Sequence, residues 1–211
     1  MTSTANRGSS VAAVWRIAIP VVVVNAVIQS LLLVLDPSPP LTWWIWPLAL
    51  ASFAAMVVTL ALVLAALLLG ARGECSWRAT ASLARSRLLL LILYAAGLII
   101  VVIIGLALWV IPGLVVLALT PYLLITVMEG AANPIKSNLR LIRARWGRWI
   151  LLLLVTGIVA GLLWVGSGLV AFFAPGTIGT FLSWLVIGLV GTALVQMWCR
   201  AADRPRQEPG E

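Results

Sequence analysis

Apolar residues fall in long runs along this chain, and polar residues stand almost entirely between the runs. A helix that crosses a bilayer needs about 20 mostly apolar residues. The first such run is 17–35, stopped by Asp36-Pro37-Ser38-Pro39-Pro40, which cannot continue a helix. The second covers 46–70. Residues 88–128 then form an apolar stretch of 41 residues. As one helix it would be roughly 61 Å long, twice the thickness of a bilayer core. It must therefore fold back, and Ile111-Pro112-Gly113 is the natural corner, giving spans 88–110 and 112–128. Spans 150–173 and 180–199 lie on either side of Ala174-Pro175-Gly176. The expected fold is an all-α polytopic membrane domain over 17–199, six spans paired as three hairpins, between an N-terminal segment 1–16 and a tail 200–211. Residues 2–10 and 202–211 read as short flexible ends.

Composition agrees with this pattern. The chain is 63% hydrophobic and 9% charged, whereas soluble domains run near 45–50% and about 25%. Fourteen basic against six acidic residues give a net charge of +8. Elsewhere a pI near 11.3 would point to nucleic acid. Here the cations sit between apolar runs, which points away from nucleic acid and toward the anionic lipid of a membrane surface. If the N-terminus is cytoplasmic, all fourteen basic residues fall in cytoplasmic segments, and the three outer turns carry one charge, Asp36. The positive-inside rule then puts both termini in the cytoplasm. Thirteen Arg against one Lys, with abundant Ala, Val and Gly, suggests a high-GC bacterial genome, and for a multi-pass chain with cytoplasmic termini the expected location is then the bacterial inner membrane. The first run is too long for a cleaved signal peptide, and no small-x-small site follows it.

Most site chemistry is excluded by the same counts. There is no histidine, hence no His-based triad, no HExxH zinc helix and no His-ligated haem. Six carboxylates and two cysteines leave little for metals or acid–base pairs, and no glycine-rich phosphate loop is present. No catalytic residue, cofactor or metal is expected. Cys75 and Cys199 both fall on the cytoplasmic side, where a structural disulfide does not form.

Each pair of spans opens with a basic, tryptophan-bearing stretch, at Trp15-Arg16, Trp77-Arg78 and Trp146 to Trp149, and turns at proline. Gly105…Trp109…Pro112-Gly113 is echoed by Gly161…Trp164…Pro175-Gly176. A repeat of period roughly 60 residues and a mere consequence of short outer turns both fit.

From Pro134, apolar residues fall at Ile135, Leu139, Ile142, Trp146 and Trp149, one stripe of a helix. Lys136, Arg140 and Arg143 fill a second stripe, with Arg145 and Arg148 beside it and no acid between. Asn133 supplies the N-cap and Pro134 the first helical position. The segment predicts an amphipathic helix in the cytoplasmic interface. Trp77, Ala81, Ala84 and Leu88, with Arg78 and Arg85 opposite, predict a shorter one. Two readings stay open. The cations and tryptophans set topology and nothing more, or Lys136, Arg140, Arg143, Arg145, Trp146, Arg148 and Trp149 form a lipid- or partner-docking platform. Each cation then contributes about 1 kcal/mol of attraction to anionic lipid.

The run Trp109-Val-Ile-Pro112-Gly113, then Pro121, Val127-Met-Glu129-Gly130, Pro134-Ile-Lys-Ser137, Leu141 and Arg145-Trp-Gly-Arg148 resembles a known pattern. It is similar to the multi-pass membrane domain found beside some glycerophosphodiester phosphodiesterases and to its stand-alone bacterial relatives. The resemblance covers about residues 85–165. It implies a helical membrane module that is not itself catalytic. No soluble hydrolase domain is attached within these residues, so phosphodiesterase activity is not carried over.

Individual polar positions give further expectations. Glu129 sits at a helix C-terminus, where the dipole disfavours its charge. It either clamps span four to the next helix through Lys136 and Arg140 or binds a cation or proton. Asn25 and Gln29, four apart in span one, either hydrogen-bond between helices or line a polar path. Gly157 and Gly161 form a GxxxG for close packing, within the chain or with a partner. Trp43, Trp44 and Trp46 mark the outer interface, and Trp77, Trp146 and Trp149 the inner.

The functional expectation is a non-enzymatic accessory or scaffold subunit of the membrane. It binds anionic phospholipid and a larger membrane-protein complex or its own copies, in envelope lipid transport. A small transporter or channel is the alternative, and a membrane enzyme the third reading.

Overall fold

The computed structural model describes residues 3–34 and 45–202. The turn over 36–40, Trp43, Trp44 and the tail from 203 lie outside them. The described chain is helical: α1 (Ser3–Val34), α2 (Ile45–Arg72), α3 (Trp77–Leu108), α4 (Val110–Leu119), α5 (Leu123–Glu129), α6 (Pro134–Ala144), α7 (Trp146–Phe173) and α8 (Thr177–Ala202). Six stretches are long and apolar enough to cross a membrane, so this is a multi-pass membrane protein. They are Val11–Leu32, Trp46–Arg72, Trp77–Leu108, Ile111–Glu129, Trp146–Phe173 and Thr177–Ala202.

Helix ends follow local chemistry. Gly73 takes the left-handed conformation (φ 77°) just after α2, and Ser76 caps α3 by accepting the N–H of Ala79 at 3.3 Å. Gly130 (φ 79°) ends α5, where only glycine reaches that region without a Cβ penalty. Asn133 accepts the N–H of Lys136 at 3.1 Å, with Pro134 first in α6. The Asn-Pro start is as the sequence predicts.

Four boundaries differ from expectation. Helix α1 begins at Ser3 and already covers the expected flexible segment. The segment from Trp77 is the first part of α3, not a separate interfacial helix. The buried residues Thr80 and Ala84 lead along the helix to Leu91 and Ala95, while Trp77 stays half exposed. The corner after α3 is a single extended residue, Trp109 (φ −166°, ψ 141°), and Pro112-Gly113 lies within the first turn of α4, where proline is tolerated. What closes this corner is a pair of glycines eight residues apart. A Cβ on Gly105 would sit 2.8 Å from the nitrogen of Gly113. Lastly, the fourth span is broken over Thr120, Pro121 and Tyr122. The sixth has no such break, so the two are not close copies.

Helix α1 packs on α8 and α2, and α3 on α2, α4 and α5. Along α1 the buried residues Val14, Ala18, Val22, Ala26 and Ser30 recur every four positions, one face of a helix. At its centre Val22 lies so close to Gly188 of α8 that any side chain at 188 would collide with it. Helix α2 is the most enclosed span and α7 the least, with 56% and 6% of their most apolar stretch buried.

Candidate functional site

The break in the fourth span removes backbone partners, and their replacements define a junction. Pro121 has no N–H for the carbonyl of Leu117. Beyond it, the regular i to i−4 bonds from Tyr122 to Ala118 and from Leu123 to Leu119 are absent. Three side-chain groups take their place. The carbonyl of Ala118 accepts the indole N–H of Trp149 at 3.1 Å. Leu119 O accepts Nδ2 of Asn138 at 2.6 Å. The N–H of Tyr122 donates to Oδ1 of Asn138 at 3.0 Å. The N–H of Leu123 turns to Thr120 O at 3.1 Å, and the hydroxyl of Thr120 donates to Val116 O at 2.8 Å. Non-helical backbone at membrane depth persists only where such partners exist. Asn138 is 2% exposed and faces the break from α6. The sequence reading gave it no role, although it is the one amide within α6.

Aromatic contacts surround the junction. Tyr122 is fully buried and stands edge-on to Trp198, ring centroids 5.1 Å apart at 79°. Trp198 donates its indole N–H to the hydroxyl of Thr156 at 3.1 Å, tying α8 to α7. The hydroxyl of Thr126 donates to the carbonyls of Leu123 and Pro134, at 2.8 and 3.2 Å, tying α5 to α6. Cys75 is a free thiol. Burial pushes the Cys75 thiol above its ordinary pKa.

The seven expected platform residues divide here. Helix α6 ends at Ala144, so the stripe expected to run unbroken to Trp149 spans two helices. Lys136, Arg140, Arg143, Trp146 and Arg148 are exposed. Arg145 is turned inward, its guanidinium donating to the carbonyl of Ala201 near the C-terminus of α8. Trp149 is 7% exposed and engaged at the break, its ring 4.6 Å from that of Trp146. Ile135 and Leu139 face outward, whereas Ile142 is buried. The platform therefore reduces to four cations and one tryptophan; Arg145 and Trp149 serve the interior.

Glu129 is not without a partner. Arg87 of α3 also packs at this corner, its guanidinium occupying the space a Cβ on Gly130 would take. Gln29 behaves as an interhelical group, accepting the hydroxyl of Ser52 at 2.7 Å and donating to its carbonyl at 3.2 Å. Asn25 does not: it is 6% exposed, and its Oδ1 has no hydrogen-bond partner. Gly157 and Gly161 have nothing within 4 Å of where a Cβ would stand. Among the described residues, nothing packs into the space that a side chain at either position would fill.

Among the described residues no three His, Cys, Asp or Glu side chains gather as a metal site. Compared with protein-family models, curated proteins and solved structures, the chain matches none.

Proposed function

We propose that this protein is a non-enzymatic accessory or scaffold subunit of a bacterial inner membrane. In this reading it holds anionic phospholipid at the cytoplasmic surface and joins a larger membrane assembly concerned with envelope lipid transport. One observation carries the proposal: Lys136, Arg140 and Arg143 are exposed on α6, which is anchored to the membrane bundle through Asn138, and Trp146 and Arg148 are exposed in the first turn of α7 that follows it. Four exposed cations on a fixed support form a point of attraction for lipid phosphates, and the tryptophan suits the headgroup layer. The positive-inside pattern supports placing this end in the cytoplasm. The resemblance of residues 85–165 to the membrane domain beside glycerophosphodiester phosphodiesterases supports a non-catalytic role near lipid metabolism.

The test is retention of phosphatidylglycerol over phosphatidylcholine by the full chain in mixed nanodiscs, read by native mass spectrometry. Replacing Lys136, Arg140, Arg143 and Arg148 together with Gln should abolish the preference while the protein still inserts, at about 1 kcal/mol per cation. The preference should also weaken with added salt, as exposed charges are screened. Equal retention of the two lipids by the unmodified protein would remove the lipid-binding part of the proposal. Subunits that co-purify in fixed ratio from the native membrane would support the assembly part, and a bare protomer would count against it.

A further inference from the structure

The break in the fourth span also borders a groove on the outside of the bundle. Helix α3 runs antiparallel to α4 and α5, from Gly105 against Gly113 at the corner to Arg87 against Gly130 at the other end. Between these ends α3, α4, α5 and α6 line an open cavity of about 470 Å³. Val101 and Val116 stand at the end nearer the corner, and Tyr94 and Leu123 at the end nearer Gly130. Along α3 the lining runs from Leu93 to Val101, about 12 Å of helix. Gly97 lies midway, exposed, with nothing within 4 Å of where a Cβ would stand, so the missing side chain deepens the groove. Leu93, Val101, Ile135 and Leu139 line it and are also exposed. It therefore opens sideways, to lipid along a span.

Three lining residues have polar side chains, Tyr94, Thr120 and Asn138. Both ends of the Asn138 amide are spent on the break, and the Thr120 hydroxyl donates to Val116 O. With Tyr94 included, the surface that the groove presents is almost wholly apolar, and no charged residue lines it. Left empty, such walls forfeit dispersion contacts, and in a bilayer the material at hand to fill them is hydrocarbon chain. Lipid tails are as apolar as leucine, so the groove itself does not choose between lipids. The choice lies at its edge on α6. Going round α6 from the buried Asn138, Ile135 and Leu139 come first, and Arg143, Lys136 and Arg140 follow. Arg143 is one turn on from Leu139, only about 40° round the helix. All three cations are exposed, and the sequence has no acid between Glu129 and Trp149. From this we infer that the groove holds one acyl chain of an anionic phospholipid whose phosphate is met by Lys136, Arg140 and Arg143. The inference rests on the lipid-binding reading above and adds the place of the chain to it.

The test uses the full chain in nanodiscs of mixed phosphatidylglycerol and phosphatidylcholine, with a diazirine in the acyl chain of one lipid or the other. Crosslinks from phosphatidylglycerol should concentrate on the groove residues of α3 and α4, about fivefold or more above those from phosphatidylcholine. Gly97→Leu meets open space and should abolish the groove crosslinks without lowering the melting temperature. Because it leaves the cations in place, retention of phosphatidylglycerol over phosphatidylcholine in native mass spectrometry should persist. Replacing Lys136, Arg140 and Arg143 together with Gln leaves the groove open and should make the two lipids label it equally. Crosslinks spread evenly round the bundle, or undiminished in Gly97→Leu, would overturn the inference and leave the lipid-binding reading standing, provided phosphatidylglycerol is still retained. Equal groove labelling by the two lipids in the parent protein would overturn it as well. Equal retention of the two lipids would remove both. Should Gly97→Leu fail to fold, the crosslink map of the parent protein and the Gln variant decide alone.

Discussion

Oδ1 of Asn138 accepts the backbone N–H of Tyr122 at 3.0 Å, across 16 residues of chain. The other end of the same amide donates to Leu119 O, so one side chain repairs both sides of the break at Pro121. A hydroxyl could not span both groups, and a carboxylate could not donate.

Asn138→Leu should therefore be among the most damaging single changes in the described chain. It orphans two backbone groups at about 1–3 kcal/mol each, or ~2–6 kcal/mol together. Thermal unfolding in mild detergent measures this, with Arg140→Leu on the exposed side of α6 as a control that changes little.

The cations of α6 and α7 should separate by role. Arg145→Gln removes the donor to Ala201 O and should lower stability by about 1–2 kcal/mol. Arg140→Gln and Arg143→Gln should stay within about 0.5 kcal/mol. Lipid retention should respond in the opposite order, and the paired measurement distinguishes an interior role from a surface one.

Glycines should separate in the same way. Gly188→Ala drives a methyl into Val22 and should cost about 1–3 kcal/mol by overpacking, recovered in part by Val22→Ala. Gly157→Ala and Gly161→Ala meet open space and should be neutral or stabilise by up to about 1 kcal/mol, through better helix propensity. A loss of stability in those two variants would reveal a partner on that face.

Cys75 should react slowly with maleimide. Its thiol pKa is raised, chiefly by burial, and the thiolate is the reactive form. At each pH its labelling rate, in a Cys199→Ala background, should fall below that of an unstructured cysteine peptide, with the midpoint displaced to alkaline pH. The folded state also holds this proton more tightly than the unfolded state does. The stabilisation is thus present below the ordinary thiol range and is lost as pH rises through the folded value.

The six spans were legible because run length is a property of composition, and the Asn133-Pro134 helix start because a cap is local. The corner near Pro112 was found within a few residues. Its placement at Trp109 depends on contact between Gly105 and Gly113, which an adjacent-residue reading does not supply. The fourth span was expected to run unbroken over 112–128 through Pro121, because the groups that complete the break lie 17 and 28 positions further along the chain. The stripe from Ile135 to Trp149 keeps its period across Arg145, which hid the end of α6 there. Among four neighbouring arginines, the one that turns inward is selected by where α8 ends, and nothing in the local pattern marks it.

The break in the fourth span also imposes an order on biogenesis. When Tyr122 has been synthesised, Asn138 and Trp149 do not yet exist, and the groups they satisfy can be paired only with water. Ribosomes add about 5–20 residues per second, so the 27 residues from Tyr122 to Trp149 take about 1–5 s to arrive. Over that interval the middle of the fourth span is held in a hydrated setting, because hydrocarbon would leave its backbone unpaired. Its final entry into lipid awaits the first turn of α7, so the fourth and fifth spans settle together and not in strict chain order.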